Sequence, residues 1–143
     1  MKKYIFLSFT VAVLLFSVSY SQKTMQVPQA VKTAFQQKFP DATNVHWEKE
    51  KGNFEGNWGG KSNEDNSAVF TPAGNFLEIA KAIPVAQLPG EALNYIKMHY
   101  KGTVISEAAI VTNAKGRITY EAEVNKKDVV FDDKGKFLKT EKE

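Results

Sequence analysis

The sequence predicts an α+β fold in which two tandem α-β-β-β-β repeats form one antiparallel sheet with both helices on one face. Three observations predict it. The stretch "AVFTPAGNFLE" (68–78) returns as "VVFDDKGKFLK" (129–139), 61 positions later. Each half opens with a helical pattern behind a proline, and those prolines, Pro28 and Pro89, are also 61 apart. Between helix and repeated motif lie short alternating runs separated by glycine-containing turn signals, which is the chemistry of hairpins. A spacing shared by both ends of the unit marks a duplication.

The chain starts with Met1-Lys2-Lys3, an apolar run over 4–18, and Ser19-Tyr20-Ser21. Basic, then apolar, then small is the pattern of a secretory signal peptide cut before Gln22. The apolar run is shorter than the ~20 residues of a spanning helix. The expectation is therefore a leader over 1–21 and a single domain over 22–143, its repeats at about 25–83 and 86–141. Periplasmic or secreted localisation follows, with no stable membrane insertion once the leader is removed. The absence of cysteine excludes a lipid anchor at the cut, disulfides and thiol chemistry.

The whole chain carries 19 basic and 16 acidic residues. The leader holds two of the lysines and no acid, so the remainder is nearly neutral. The charges interleave along the chain. Neither a nucleic-acid stripe nor a polybasic membrane patch is visible, and a surface of mixed sign is expected. A lone repeat of ~60 residues would be marginal without disulfides or metal. Two repeats sharing one core would escape that limit.

In the first helix, Val27, Val31, Ala34, Phe35 and Phe39 form one stripe, Pro28 suits the first helical position, and Pro40 marks the end. In the second, Leu88, Ala92, Ile96 and Tyr100 form the stripe, Pro89 starts it, and Gly102 offers a cap. "TPAG", "NAKG" and "DDKG" each fit a type I turn followed by a left-handed glycine. The Asn113 hairpin sets Ala108, Ile110, Ile118, Tyr120, Ala122 and Val124 on one face, with Thr119, Glu121 and Glu123 on the other. A two-residue turn at Lys51-Gly52 would put Val45, Trp47, Phe54 and Trp58 on a common face, and a three-residue turn would split the two tryptophans between faces; burial favours the former. "GGKSNEDNS" (59–67) joins the hairpins of the first repeat, and "IPVAQLP" (83–89) joins the repeats.

The segments "VPQAVKTAFQQKFPDATNVHW", "YEAEV" and "VVFDDKGKFLKTE" resemble the PepSY-like, β-lactamase-inhibitor-like (BLIP-like) proteins exported by Bacteroidota. The resemblance covers essentially all of the chain after the leader, as two tandem copies. The first copy departs from the pattern with "FEGNW" for "YEAEV" and "FTPAG" for "FDDKG", and the second lacks the proline after the helix and the strand tryptophan. The resemblance implies a secreted binding or inhibitory module with no catalytic residues to carry over.

The residues themselves argue the same way. Only His46 and His99 could serve as a base, and nothing sets a serine and a carboxylate beside either. "SNEDN" (62–66) is oxygen-rich but lacks the spacing of a calcium loop, and Asp132-Asp133-Lys134-Gly135 reads as turn chemistry. No catalytic residue, metal ligand or cofactor is expected. In the repeated hairpins, Val69, Leu77 and Ile79 share one face, and Phe70 and Phe76 share the other with Ala68 and Glu78. Val130 and Leu138 oppose Phe131 and Phe137 in the same way. Only one of these faces can lie beneath the helices. If the aliphatic set is inside, Phe70, Phe76, Phe131 and Phe137 lie on the open face and become candidate anchors for a protein partner. The sheet ends could cover them instead. The leading expectation is an exported non-enzymatic module that binds a protein partner on its open sheet face. A carrier of a small ligand or calcium ion, or a structural envelope protein, stands behind it.

Overall fold

The computed structural model describes residues 25–142, so the expected leader (1–21) lies outside the described residues. Helix α1 (Gln29–Lys38) is followed by strands β1 (His46–Glu50), β2 (Asn53–Trp58), β3 (Asn66–Phe70) and β4 (Phe76–Ala82). A 3-10 turn at Val85–Gln87 leads into α2 (Gly90–His99), β5 (Ala108–Asn113), β6 (Ile118–Glu123), β7 (Lys127–Asp132) and β8 (Phe137–Lys142). All eight strands pair antiparallel in chain order, so each half is an α-β-β-β-β unit of one sheet. Both helices lie on the same face.

The local chemistry explains these elements. Pro28 and Pro89 occupy the N-cap, one position earlier than the sequence pattern suggests. The Pro28 carbonyl accepts from the amides of Val31 (3.1 Å) and Lys32 (3.2 Å). The expected stripes face the sheet: Val31 and Phe35 are buried on α1, and Ala92 and Ile96 on α2. Lys51 and Gly52 both take positive φ, 48° and 86°, which makes the two-residue turn the kind whose twist suits a hairpin. The register Trp47↔Gly56 then holds Trp47, Phe54 and Trp58 on one face. At the longer turns, Asn113 Oδ1 accepts from the amides of Lys115 and Arg117, and Asp132 Oδ1 from those of Lys134 and Lys136.

The hairpin phenylalanines lie beneath the helices, which corrects their candidacy as surface anchors. Phe70 and Phe131 are 1% and 0% exposed. Phe35 on α1 meets Phe70 at 6.0 Å between ring centroids, and Phe39, just past α1, meets Phe76 at 6.3 Å. Tyr95 on α2 stacks on Phe137 at 4.6 Å and meets Phe131 edge-on at 5.7 Å. The register decides the matter. Phe54 pairs with Phe70, and Tyr120 with Phe131, so each phenylalanine inherits the face already claimed by its neighbour strand.

Strict alternation also fails at one point in each half. Phe70 pairs with Phe76, but Val69 pairs with Glu78, so Leu77 is the extra residue of a bulge. Phe131 pairs with Phe137 and Val130 with Lys139, so Leu138 repeats it 61 positions later. A bulge sets two residues against one and shifts all that follows to the opposite face. Ile79 consequently joins Ala68 on the helix face, and Glu78 joins Val69 on the open face.

The repeats compensate within themselves. The registers equate Trp47 with Ala108, a shift of 61, but Gly56 with Ala122, a shift of 66. A longer β5–β6 hairpin is balanced by a shorter β6–β7 loop. Where α1 offers Phe35, the strand beneath offers Gly56, and a Cβ there would sit 3.1 Å from the Phe35 ring. The equivalent pair in the second half is Ile96 over Ala122, both buried in one cluster. A smaller helix side chain meets a larger strand one, keeping the volume filled.

The apolar interior is not one continuous core, which corrects the expectation of a shared one. Beneath the helices, buried side chains form two clusters, one holding Phe35 and the other Ile96, while Val111 and Val130 are buried on the open face. The halves are joined by the β4–β5 ladder, from Glu78↔Asn113 to Ala82↔Ala109. Backbone pairing, helped by Ile83 and Val85 packing onto the second cluster, does the coupling.

The turn glycines separate two costs. Gly116 and Gly135 both have positive φ, 79° and 91°. A Cβ on Gly116 would meet nothing within 4 Å, whereas one on Gly135 would lie 2.9 Å from the Ala92 backbone nitrogen on α2. Gly116→Ala should cost about 1 kcal/mol for the left-handed backbone alone. Gly135→Ala should cost roughly 2–4 kcal/mol, because the clash adds to that strain. Urea unfolding of both variants checks this, and equal losses would contradict the close helix–turn contact.

Candidate functional site

The sheet face away from the helices is a trough. Laid flat, seven interstrand steps of ~4.8 Å would separate β1 from β8 by ~34 Å. Instead, Lys51 Nζ in the first hairpin turn lies 3.8 Å from Glu141 Oε2 on β8. Two long side chains cannot bridge the flat distance, so the sheet must curl and bring its ends toward each other. The narrower part of the resulting concavity, about 490 Å³, is lined from β1 (Glu48) to β8 (Glu141). The wider part, about 890 Å³, opens toward the loop at Ser62–Asp65 and the segment before β5.

Alternation fills this trough with carboxylates. Strands β1, β2 and β6 send their apolar residues to the helices, so their alternate side chains point into the concavity. Glu48 and Glu50 on β1, Glu55 on β2, and Glu121 and Glu123 on β6 arrive this way. Glu78 is delivered by the bulge in β4. Eight carboxylates line the wider part and seven the narrower, four of them shared, so eleven of the chain's 16 acids face one concavity. Lys49 and Lys51 line its narrower part, and Lys139 on β8 shares the open face with Val130 and Glu121. Lys49 directs its ammonium toward the Phe54 ring, 5.7 Å from the centroid, and Lys51 is paired with Glu50 at 2.9 Å. The near-neutral chain is thus strongly polarised in space, which corrects the expectation of a mixed-sign surface. Charges that alternate along a strand separate onto its two faces.

Confinement shifts the carboxyls. Burial pushes Glu121 up from 4.5 to about 7; repulsion from Asp128, Glu78 and Glu141 adds to the shift, and Lys139 opposes it. Burial also raises Glu55, opposed by the hydroxyl of Ser67, which donates to its Oε1. Glu78 is raised for the same reason, opposed by Lys139, although water still reaches its side chain. Glu141, at the rim, is held low chiefly by the Lys139 ammonium at 2.6 Å. Glu55 and Glu121 occupy equivalent strand positions, since Phe54 and Tyr120 before them pair with Phe70 and Phe131. They are the glutamates of "FEGNW" and "YEAEV".

Between the acids lies a small aliphatic floor. Val69 on β3, Ala80 and Ala82 on β4, and Ala109 and Val111 on β5 share the open face. Val111 is buried there. The carboxylates do not converge: among the described residues no group of three or more His, Cys, Asp or Glu side chains is placed to hold a metal ion. The two histidines stand apart. His46 Nε2 lies 3.5 Å from Glu48 at the trough, and His99 packs on Tyr95 at 4.0 Å on the helix side.

A family model described as "Putative beta-lactamase-inhibitor-like, PepSY-like" matches residues 18–57 and 60–139. The chain belongs to this family. A "putative periplasmic" protein of Bacteroides eggerthii has a similar structure, with a TM-score of 0.67 at 17% identity over 82% of this chain and 89% of that one. A DUF2874 family protein of Bacteroides ovatus gives 0.64 at 18% identity, over 81% and 87%. A BLIP-like protein of Bacteroides fragilis gives 0.58 at 18% identity, over 83% and 88%. At these identities the likeness concerns the fold. No curated protein matches the chain. Among the described residues, no helix is long and apolar enough to cross a membrane.

The raised carboxyls carry a signed stability prediction. A carboxyl whose folded value lies above its unfolded one binds its proton more tightly in the folded chain. Its contribution is therefore most favourable below about pH 4.5 and is lost as pH rises from 4.5 to 7. For Glu121 the loss is at most about 3 kcal/mol. Glu121→Gln should raise the melting temperature by several degrees at pH 8 and by much less at pH 5. Thermal melts across that range check it, and an equal or negative effect at pH 8 would contradict the burial of a charged Glu121.

Proposed function

We propose that this protein is an exported, non-enzymatic binding module, working in the periplasm or outside the cell, that receives a protein partner on its concave sheet face. The observation that carries the reading is the trough itself: eight strands curl so that one polar, unpartnered face becomes a groove open to solvent. The helices cover the other face, so the larger concavity this fold offers is the groove. Membership of a β-lactamase-inhibitor-like family supports an inhibitory or adaptor role without naming the target.

The polar pairs in the trough support a non-catalytic reading. Ser67 donates to Glu55, and Ser106 Oγ donates to Glu123 at 2.8 Å. Among the described residues neither hydroxyl is hydrogen-bonded to a histidine, the usual base partner of a nucleophilic serine. The basic, apolar and small segments of the first 21 residues support export.

A photo-crosslinking amino acid reads the location directly. Placed at Ala82, exposed at the trough wall, it should give a discrete adduct in the producing cell's envelope. Placed at Lys97, exposed on α2 and outside the trough, it should give none. An adduct from Lys97 alone, or the same adduct from both positions, would overturn the placement.

A further inference from the structure

We infer that the trough takes an extended lysine- or arginine-rich segment of its partner, laid along the strand direction. This rests on the concave face being the docking surface and adds the chemistry of what docks. Charge complementarity is the first argument. Glu48, Glu50 and Glu55 form one bank on β1 and β2, and Glu121 and Glu123 form the other on β6. A trough with low-dielectric walls concentrates the field of such charges and draws in cations.

Spacing is the second argument. Glu48 and Glu50, like Glu121 and Glu123, are two residues apart on one strand face, which places them ~6.6 Å apart. An extended peptide presents alternate side chains at the same interval. A basic segment therefore meets the carboxylates of each bank in register, sharing Glu50 with Lys51. The carboxylates are dispersed along the trough and do not gather in a group of three or more placed to hold a metal ion. Dispersed donors suit several cations at intervals better than a single divalent ion.

The floor is the third argument. Val69, Ala80, Ala109 and Val111 give a smooth aliphatic surface between the banks. Lysine and arginine carry three or four methylenes behind the charge and lay that stem on apolar surface while the head reaches a polar partner. Small floor residues leave room for those stems. The upward shift of the trough carboxyls agrees with this picture, because a cation arriving beside them offsets the repulsion that burial and crowding impose.

Titration of purified protein with a fluorescent eight-residue peptide of alternating lysine and alanine tests the inference. A glutamine–alanine peptide of the same length serves as the uncharged control. The lysine peptide should bind at least about tenfold more tightly than the control and weaken about tenfold between low and high salt. Glu55→Gln/Glu121→Gln should weaken it about tenfold or more. Glu91→Gln/Asp133→Asn, the same charge change outside the trough, should leave it within about twofold. Equal affinity for the two peptides, or equal loss in both double variants, would overturn the inference. Tighter binding of spermidine or calcium, with displacement of the peptide, would also overturn it. A positive Ala82 crosslink alongside a failed lysine-peptide titration would keep the docking surface and reject its cationic occupant.

Discussion

Each four-stranded half has one helix to cover it, and that single constraint orders the molecule. A helix covers one face of a sheet, so every strand must send its large aromatic side chains the same way. Phe35 sits above Gly56, and Ile96 shares a buried cluster with Ala122. Everything not wanted there is turned to the other face. The trough carboxylates are in this sense the complement of the core. The curl then gathers what alternation has sorted. Without it, Glu48 and Glu121 would be distant residues on a flat wet surface; with it, they line one groove.

Duplication explains why the groove has two banks. Glu55 and Glu121 occupy the same position of the two structural repeats and face each other across a floor built by the middle strands. The copies have since diverged. Glu78 in the first has Lys139 as its counterpart in the second, each delivered to the trough by the same bulge. Lys139 is the cation that offsets both Glu78 and Glu121. Each bank is therefore partly neutralised from within, the first by Lys51 and the second by Lys139, and because these lysines sit at non-equivalent positions the groove is asymmetric although the fold is nearly symmetric. A partner with a defined direction would read that asymmetry.

Much of the architecture was legible in the sequence because it rests on local rules. Prolines mark the helix starts, Lys51-Gly52 makes a two-residue turn, and Asn113 and Asp132 build glycine-closed turns. The face of the hairpin phenylalanines was not legible, because Phe70 and Phe76 fit either side of an isolated hairpin. Their side is fixed by pairing with Phe54, which is a tertiary fact. The bulges at Leu77 and Leu138 were also hidden, since no residue in "FLEI" or "FLKT" demands one. The acidic trough escaped notice for another reason. Read in line, "HWEKE" and "YEAEV" mix charge with apolar residues; only the two-residue period shows that the glutamates share a side. That signal was present, and counting charges by strand face would have found it.

The trough exists only if the sheet curls, and one distance tests that. The chain has no cysteine, so Lys51→Cys/Glu141→Cys gives two unique sites for spin labels. Pulsed dipolar spectroscopy on the doubly labelled protein should give a dominant separation below about 20 Å, as expected when the first hairpin turn approaches the last strand. A dominant separation of ~30 Å or more, the span of a flat eight-stranded sheet, would contradict the trough and the docking role built on it.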